Sequence, residues 1–182
     1  KFPILTNLWA TRERCATALG LPRSKTGVEL GTMFAQTIGR RIDPVVVSSD
    51  HAPVHANVLQ GEKADMLMLP AVRHAEMDLG GAFTMAVCAR PPGGTFYNVT
   101  FVKTFAESSR GGGLTIHSNH MRRCWQEWEQ RGERFPVINI LGHHPGFWLG
   151  TLNYTPWGED DYAEIAGGSM FQPGALYFAV AR

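Results

Sequence analysis

The sequence has no strong charge of either sign: 17 Lys and Arg stand against 16 Asp and Glu, for a formal net charge of +1. That balance excludes the basic footprint by which a protein neutralises a nucleic-acid backbone. Cysteine is sparse. Cys15, Cys88 and Cys124 are odd in number, far apart, and without a second Cys or His at zinc-finger spacing. They suit small core filler in a reducing, cytoplasmic setting better than a disulfide framework. Long apolar runs are missing too. The run at residues 136–141 is strand-sized and far too short to span a bilayer. Nothing near Lys1 has the charged-then-apolar layout of a secretory leader, and a chain that opens without methionine reads as a processed chain or a fragment. No repeat, low-complexity tract or linker interrupts it.

What is present is core-forming material. Hydrophobic residues make up 44% of the 182 and charged ones 18%, a composition that excludes a disordered chain and suffices for one sizeable domain. Thr11 is a plausible N-cap for a short helix closing at Gly20, and Leu30, Met33, Phe34 and Ile38 give residues 28–41 the spacing of an amphipathic helix. Pro44-Val45-Val46-Val47 reads as a short β-branched strand, and residues 65–69 as a weaker one. From residue 82 the pattern turns to strands, at 83–89, 96–105 and 114–117. The breakers Pro91-Pro92-Gly93-Gly94 and Gly111-Gly112-Gly113 predict antiparallel hairpins between them. Ser118 should cap a helix reaching Trp128 to Arg131, with Met121, Cys124, Trp125 and Trp128 on one face. A buried strand at 136–141, a Gly-His-His-Pro turn, an apolar helix through Trp148 and a last helix from about Glu159 complete one α+β domain.

Seven histidines offer several sites. His120 stands at a helix start, Asn98 on a preceding strand, and Glu159-Asp160-Asp161 supplies carboxylates. An Asn, a His and a carboxylate are hard-to-borderline donors that together suit manganese or magnesium bridging to a phosphate oxygen. Spacing alone favours the plainer account, a capping histidine and a solvated acidic helix start. His143-His144-Pro145 reads as a turn-shaping element, because adjacent side chains diverge. Trp125 and Trp128 read as core or interface, and the triple glycine as a hairpin turn lacking any phosphate-loop spacing. No Ser or Cys occupies a nucleophile elbow.

The order of these segments resembles the UbiD family of reversible decarboxylases, from Asn7 to about Gly168. The resemblance rests on Asn7-Leu8-Trp9-Ala10-Thr11-Arg12-Glu13-Arg14 with Ala18-Leu19-Gly20, and on Asp65-Met66-Leu67-Met68-Leu69-Pro70. The strand with Asn98, the run from Leu114 to His120, Gly142-His143-His144-Pro145, and Pro156-Trp157-Gly158 with its acidic residues and Ala166-Gly167 then follow in the family's order. The resemblance implies a split-barrel, flavin-reductase-like α+β fold with a mixed or antiparallel sheet flanked by helices. It also implies an N-terminal segment over residues 1–80 and a prenylated-FMN-binding portion over 81–182, with the family's C-terminal domain absent.

By the same resemblance, Asn98, His120 and Asp161 hold a divalent metal, Mn²⁺ or Mg²⁺, against the phosphate of prenylated FMN. Asp161 stands where the family has Glu, one methylene longer. A potassium ion beside this site would use Val99, Gly150, Thr151, Asn153 and Asp161, while Thr100, Phe101 and Asn119 fall where the family contacts its flavin. Lys103 occupies the position of an Arg that grips the substrate carboxylate; it keeps the charge and loses the bidentate fork. The family's two catalytic Glu residues match positions beyond this sequence. The expected partners are a small carboxylic acid and an oligomeric mate supplying the missing half, with neither nucleic acid nor membrane involved. Two alternatives compete: a non-catalytic UbiD-like module docking through Trp125 and Trp128, and a flavin-free metal hydrolase built on the histidines.

Overall fold

Seven of the eight residues Ala82–Ala89 are apolar and fall on both faces of a strand, so the element they form, β1, has to lie between two layers. It does. In the computed structural model, which describes residues 9–18, 20–24, 27–36, 40–44, 46–152 and 155–168, β1 is an inner strand of a four-stranded sheet. Its neighbours are β2 (Asn98–Ala106) and β4 (Ile138–Ile140), and β3 (Gly112–Leu114) completes the order β3-β2-β1-β4. Every pairing is antiparallel and the sheet is open, flanked by helices in the expected α+β manner. Among the described residues, no helix is long and apolar enough to cross a membrane. Expectations placed on Asn7, Leu8, Leu19, Ile38, Val45, Asn153 and residues 169–182 lie outside the described residues.

The two faces build separate cores. Phe83, Val87 and Ala89 of β1 meet Val102 of β2 and Met121 of α3 (Asn119–Glu129) on one side. On the other, Ala86 and Cys88 pack with Val99, with Phe147 of α4 (Pro145–Gly150) and with Tyr162 and Ile165 of α5 (Asp161–Gly168). Ser118 caps α3 as its sequence predicts, its hydroxyl accepting from the Met121 amide at 3.4 Å. Met121 and Cys124 are buried, but Trp125 turns outward, and Trp128 donates from its indole to the Arg90 carbonyl at 2.9 Å. The four residues expected on one face are therefore divided between core and rim.

Several local expectations are corrected. The triple glycine is divided: Gly111 closes the hairpin turn, its carbonyl accepting from the Glu107 and Ser108 amides at 3.1 and 2.9 Å, while Gly112 and Gly113 open β3. Gly112 lets β3 approach β2 so closely that any Cβ there would strike the Phe105 carbonyl. The strand expected at 114–117 accordingly begins upstream and ends at Leu114. Residues 65–69 form a 3-10 turn, Met66–Met68, because Asp65 folds back to accept from the Leu67 amide at 2.8 Å. Among the described residues Pro44, Val46 and Val47 form no strand, and Val46 is 90% exposed. The remaining helices are α1 (Arg12–Ala18) and α2 (Gly27–Ala35), the latter shorter than its apolar spacing suggested. Beyond it Arg41 is drawn to α5, pairing with the Glu159 carboxylate, while Ile42 donates to the Ala163 carbonyl.

Candidate functional site

Asn98 opens β2, and strand alternation gives it the face of Val102, toward α3. Asp161 opens α5, which packs on the opposite face. The two meet at the end of the sheet because the segment before α5 is stitched to the strand start. The Tyr97 amide donates to Asp160 Oδ2 at 3.0 Å, and the Asp161 amide donates to the Tyr97 carbonyl at 3.0 Å. Asp160 also accepts from the Tyr162 amide at 2.8 Å and so caps α5. This fixes the helix start at Asp161, two residues past the expected Glu159.

Asp161 Oδ2 accepts from Val99 N at 2.6 Å and from Asn98 Nδ2 at 2.8 Å. Both residues are buried, Asn98 at 5% and Asp161 at 7% exposure. Burial pushes the Asp161 carboxyl up to about 6, against the Val99 amide and the Thr155 and Asn98 side chains, which favour its charged form. Since a carboxylate accepts only, the Asn98 amide must present its NH₂ group to Asp161. Its Oδ1 is then left buried with no hydrogen-bond partner. An orphan acceptor of this kind costs about 1–3 kcal/mol, and its presence calls for a donor or a cation.

A cleft of about 330 Å³ opens at this point. Its walls include Asn98, Thr100, Asn119, His120, Thr151 and Asp161, so the structure brings the three expected metal donors to one cavity. The donor set, an orphan amide oxygen, an imidazole and a buried carboxylate, fits a hard-to-borderline divalent ion. Val99 also lines the cleft and Thr151 stands at its edge, whereas Gly150 is absorbed in packing. A Cβ on Gly150 would come within 2.7 Å of the Ile165 carbonyl oxygen, since α4 and α5 touch there. Gly150→Ala is expected to destabilise the protein by about 1–3 kcal/mol through overpacking, read as a lower urea midpoint. An unchanged midpoint would show that the two helices separate freely.

The structure does not bring every expected residue to the cleft. Phe101 lies on the other face of β2, stacked on Trp148 at 5.1 Å between ring centroids. Lys103 shares the parity of Phe101, is exposed, and holds its ammonium 5.6 Å from the Phe105 ring centroid. Asp78 lies near it: the Ala75 and His74 amides hold that carboxyl low, and the charge of Lys103 adds to the effect. His144 caps α4, its Nδ1 accepting from Gly146 N at 3.1 Å, and its pKa is lowered by burial and then by His143. His143 packs against Phe101 and Phe147, which gives the pair the shaping role expected of it. Among the described residues, no three His, Cys, Asp and Glu side chains gather as a metal site, so a centre built on histidines alone has no counterpart there.

Sequence reasoning missed His117, Ser118 and Thr155 in the cleft wall, and Trp157 beside it. Thr155 is buried next to Asp161, and only the tertiary hydrogen bonds reveal its place.

Residues 45–173 match the family described as the 3-octaprenyl-4-hydroxybenzoate carboxy-lyase Rift-related domain, UbiD. No curated protein sequence matches the chain. Among solved structures, the UbiD-class enzyme HmfF from Pelotomaculum thermopropionicum in complex with FMN is 27% identical, with a TM-score of 0.76 over 90% of this chain and 36% of that one. An evolved dimeric form of the same enzyme in complex with prFMN is 25% identical, with a TM-score of 0.75 over 90% and 37%. The apo 3,4-dihydroxybenzoic acid decarboxylase of Enterobacter cloacae is 26% identical, with a TM-score of 0.77 over 93% and 36%. The chain thus spans little more than a third of the length of the structures it resembles.

Proposed function

The chain belongs to the UbiD carboxy-lyase family, and from that premise we propose that it binds prenylated FMN and a divalent metal for the reversible decarboxylation of an aromatic or α,β-unsaturated carboxylic acid. The observation that carries this reading is the cleft in which a partnerless Asn98 Oδ1, the His120 imidazole and the buried Asp161 carboxylate converge. Relatives solved with FMN and with prFMN supply the flavin, and an aromatic-acid decarboxylase among them supplies the substrate class.

Each residue then has a task. Asn98, His120 and Asp161 hold Mn²⁺ or Mg²⁺, and Val99, Thr151 and Asp161 offer oxygens for a potassium ion beside it. The N-terminal turn of α3, with Asn119 at its start, lines the cleft, and the positive end of the helix dipole favours a phosphate there. When bound, the prenylated ring supplies the electron sink for loss of carbon dioxide. Lys103 is the cation available to a substrate carboxylate, on the face of β2 opposite Asn98. The proton donor is assigned to the part of the relatives' length that this chain does not match, contributed by further chain or by an oligomeric mate.

The test is to produce the protein together with a prenylated-FMN-forming system and record its absorption spectrum and metal content. A flavin spectrum with about one equivalent of manganese is expected for a single three-donor site. Colourless, metal-free protein from that system would sink the reading.

A further inference from the structure

We propose that Trp157 is the positioning residue of this site, its indole holding the His120 ring in the orientation a metal requires. The inference rests on the assignment of His120 as a ligand and adds a residue that assignment does not include. The indole of Trp157 is half-buried and gathers three side chains from two other segments. The His120 imidazole meets it in a T-shaped contact at 5.4 Å, with an interplanar angle of 68°. The Arg123 guanidinium lies 4.1 Å from its ring centroid, and the Phe96 ring meets it at 5.2 Å and 83°. His120 and Arg123 are separated by three positions on α3, so they share one stripe of the helix and clasp the same ring.

The consequence follows from where Trp157 sits in the chain. It belongs to the segment that leads into Asp161, so one rigid ring joins the segment leading into the strand of Asn98, the helix that supplies His120 and the turn before Asp161. A cation over an indole face is attractive, and T-shaped contacts restrict the planes of the rings that meet in them. Ligand histidines are ordinarily aimed by a neighbouring group, whose loss costs about 10–100-fold in metal affinity. Here an aromatic wedge performs that aiming.

Manganese affinity, measured by electron paramagnetic resonance titration of the free ion, gives the first readout. Trp157→Ala is expected to weaken Mn²⁺ binding about 10–100-fold, with Trp157→Phe, which keeps a flat ring, recovering most of the loss. The second readout needs no damaged variant. With fluorotryptophan in place of the five tryptophans, the ¹⁹F signal that vanishes in Trp157→Phe identifies Trp157. In the otherwise unchanged protein that signal should be broadened by Mn²⁺ more than the other four. Wild-type manganese affinity in Trp157→Ala, alongside its loss in His120→Ala, would overturn the positioning role and leave the metal site standing. Wild-type affinity in His120→Ala would instead remove the metal assignment and the positioning role together. A Trp157 signal no more sensitive to Mn²⁺ than the others would also overturn the proposal.

Discussion

Replacing His120 with alanine is expected to lower Mn²⁺ affinity at least about 100-fold, equivalent to roughly 3 kcal/mol, and to release the flavin that the metal helps retain. The size follows from the donor count. Asn98 Oδ1 and the Asp161 carboxylate are the remaining side-chain donors, and neither can swing into the vacated position while they are hydrogen-bonded to each other. The folded protein should hardly notice. His120 lies on the first turn of a helix whose cap is Ser118, so the capping role that spacing alone would give His120 is already taken. His120 is only half-buried, and its truncation should cost at most about 1 kcal/mol of stability. The decisive measurement is therefore a pair: metal and flavin content beside the urea midpoint. Lost metal with an unmoved midpoint identifies a ligand. Unchanged metal and flavin in His120→Ala would remove the site, whatever happened to stability.

The parts of this fold that were legible in the sequence are those governed by neighbours in the chain. Pro91-Pro92-Gly93-Gly94 had to break a strand, and the hairpin joining β1 to β2 in antiparallel register follows, with Ala89 paired to Asn98. Ser118 before a run of helix formers had to cap, and it does. The illegible parts depend on what lies across space. Three consecutive glycines carry a turn signal, but at β3 the lack of a side chain serves close approach to the Phe105 carbonyl. Residues 65–69 have strand-like composition, yet one local hydrogen bond from Leu67 to Asp65 diverts them. Strands buried on both faces also lose the alternation that would reveal which way a polar residue points. So Asn98 was readable as a site residue, while Phe101 and Lys103 could not be assigned to the face opposite it.

The same limit applies to the site. Asn98 and Asp161 are joined across 63 positions by a single 2.8 Å hydrogen bond, and no spacing rule spans that interval. The family resemblance brought the pair together on paper. The structure adds the chemistry: a shared carboxylate oxygen, an orphan amide oxygen and a buried threonine. Trp157 shows the reverse. In the sequence it is one residue of the Pro156-Trp157-Gly158 motif, and only its contacts with Phe96, His120 and Arg123 show that it ties three segments together.

Asp161→Asn should produce the second large effect, opposite in sign for folding and for binding. The Asp161 carboxyl is raised by burial from an ordinary 3.8 to about 6, so the folded state prefers the protonated form more than the unfolded state does. A group shifted upward in this way adds most to stability below about pH 4, and that contribution is lost as pH rises through 6. At pH 7 to 8 the metal-free protein therefore holds a buried charge at a cost of up to about 3 kcal/mol. An asparagine oxygen can still accept from Val99 and Asn98 while the charge is gone. In chelator, the variant is expected to be more stable than the parent by about 1–3 kcal/mol at pH 8, with the difference shrinking toward zero at pH 4. Manganese should reverse the order. It stabilises the parent by mass action on the native state, whereas the variant, stripped of its anionic donor, should gain almost nothing. Urea midpoints for both proteins at pH 4, 6 and 8, with chelator and with Mn²⁺, contain the whole test. If the metal-free variant is the weaker protein at pH 8, the buried charge was never a strain on the fold. If Mn²⁺ stabilises both proteins equally, the ion does not reach Asp161.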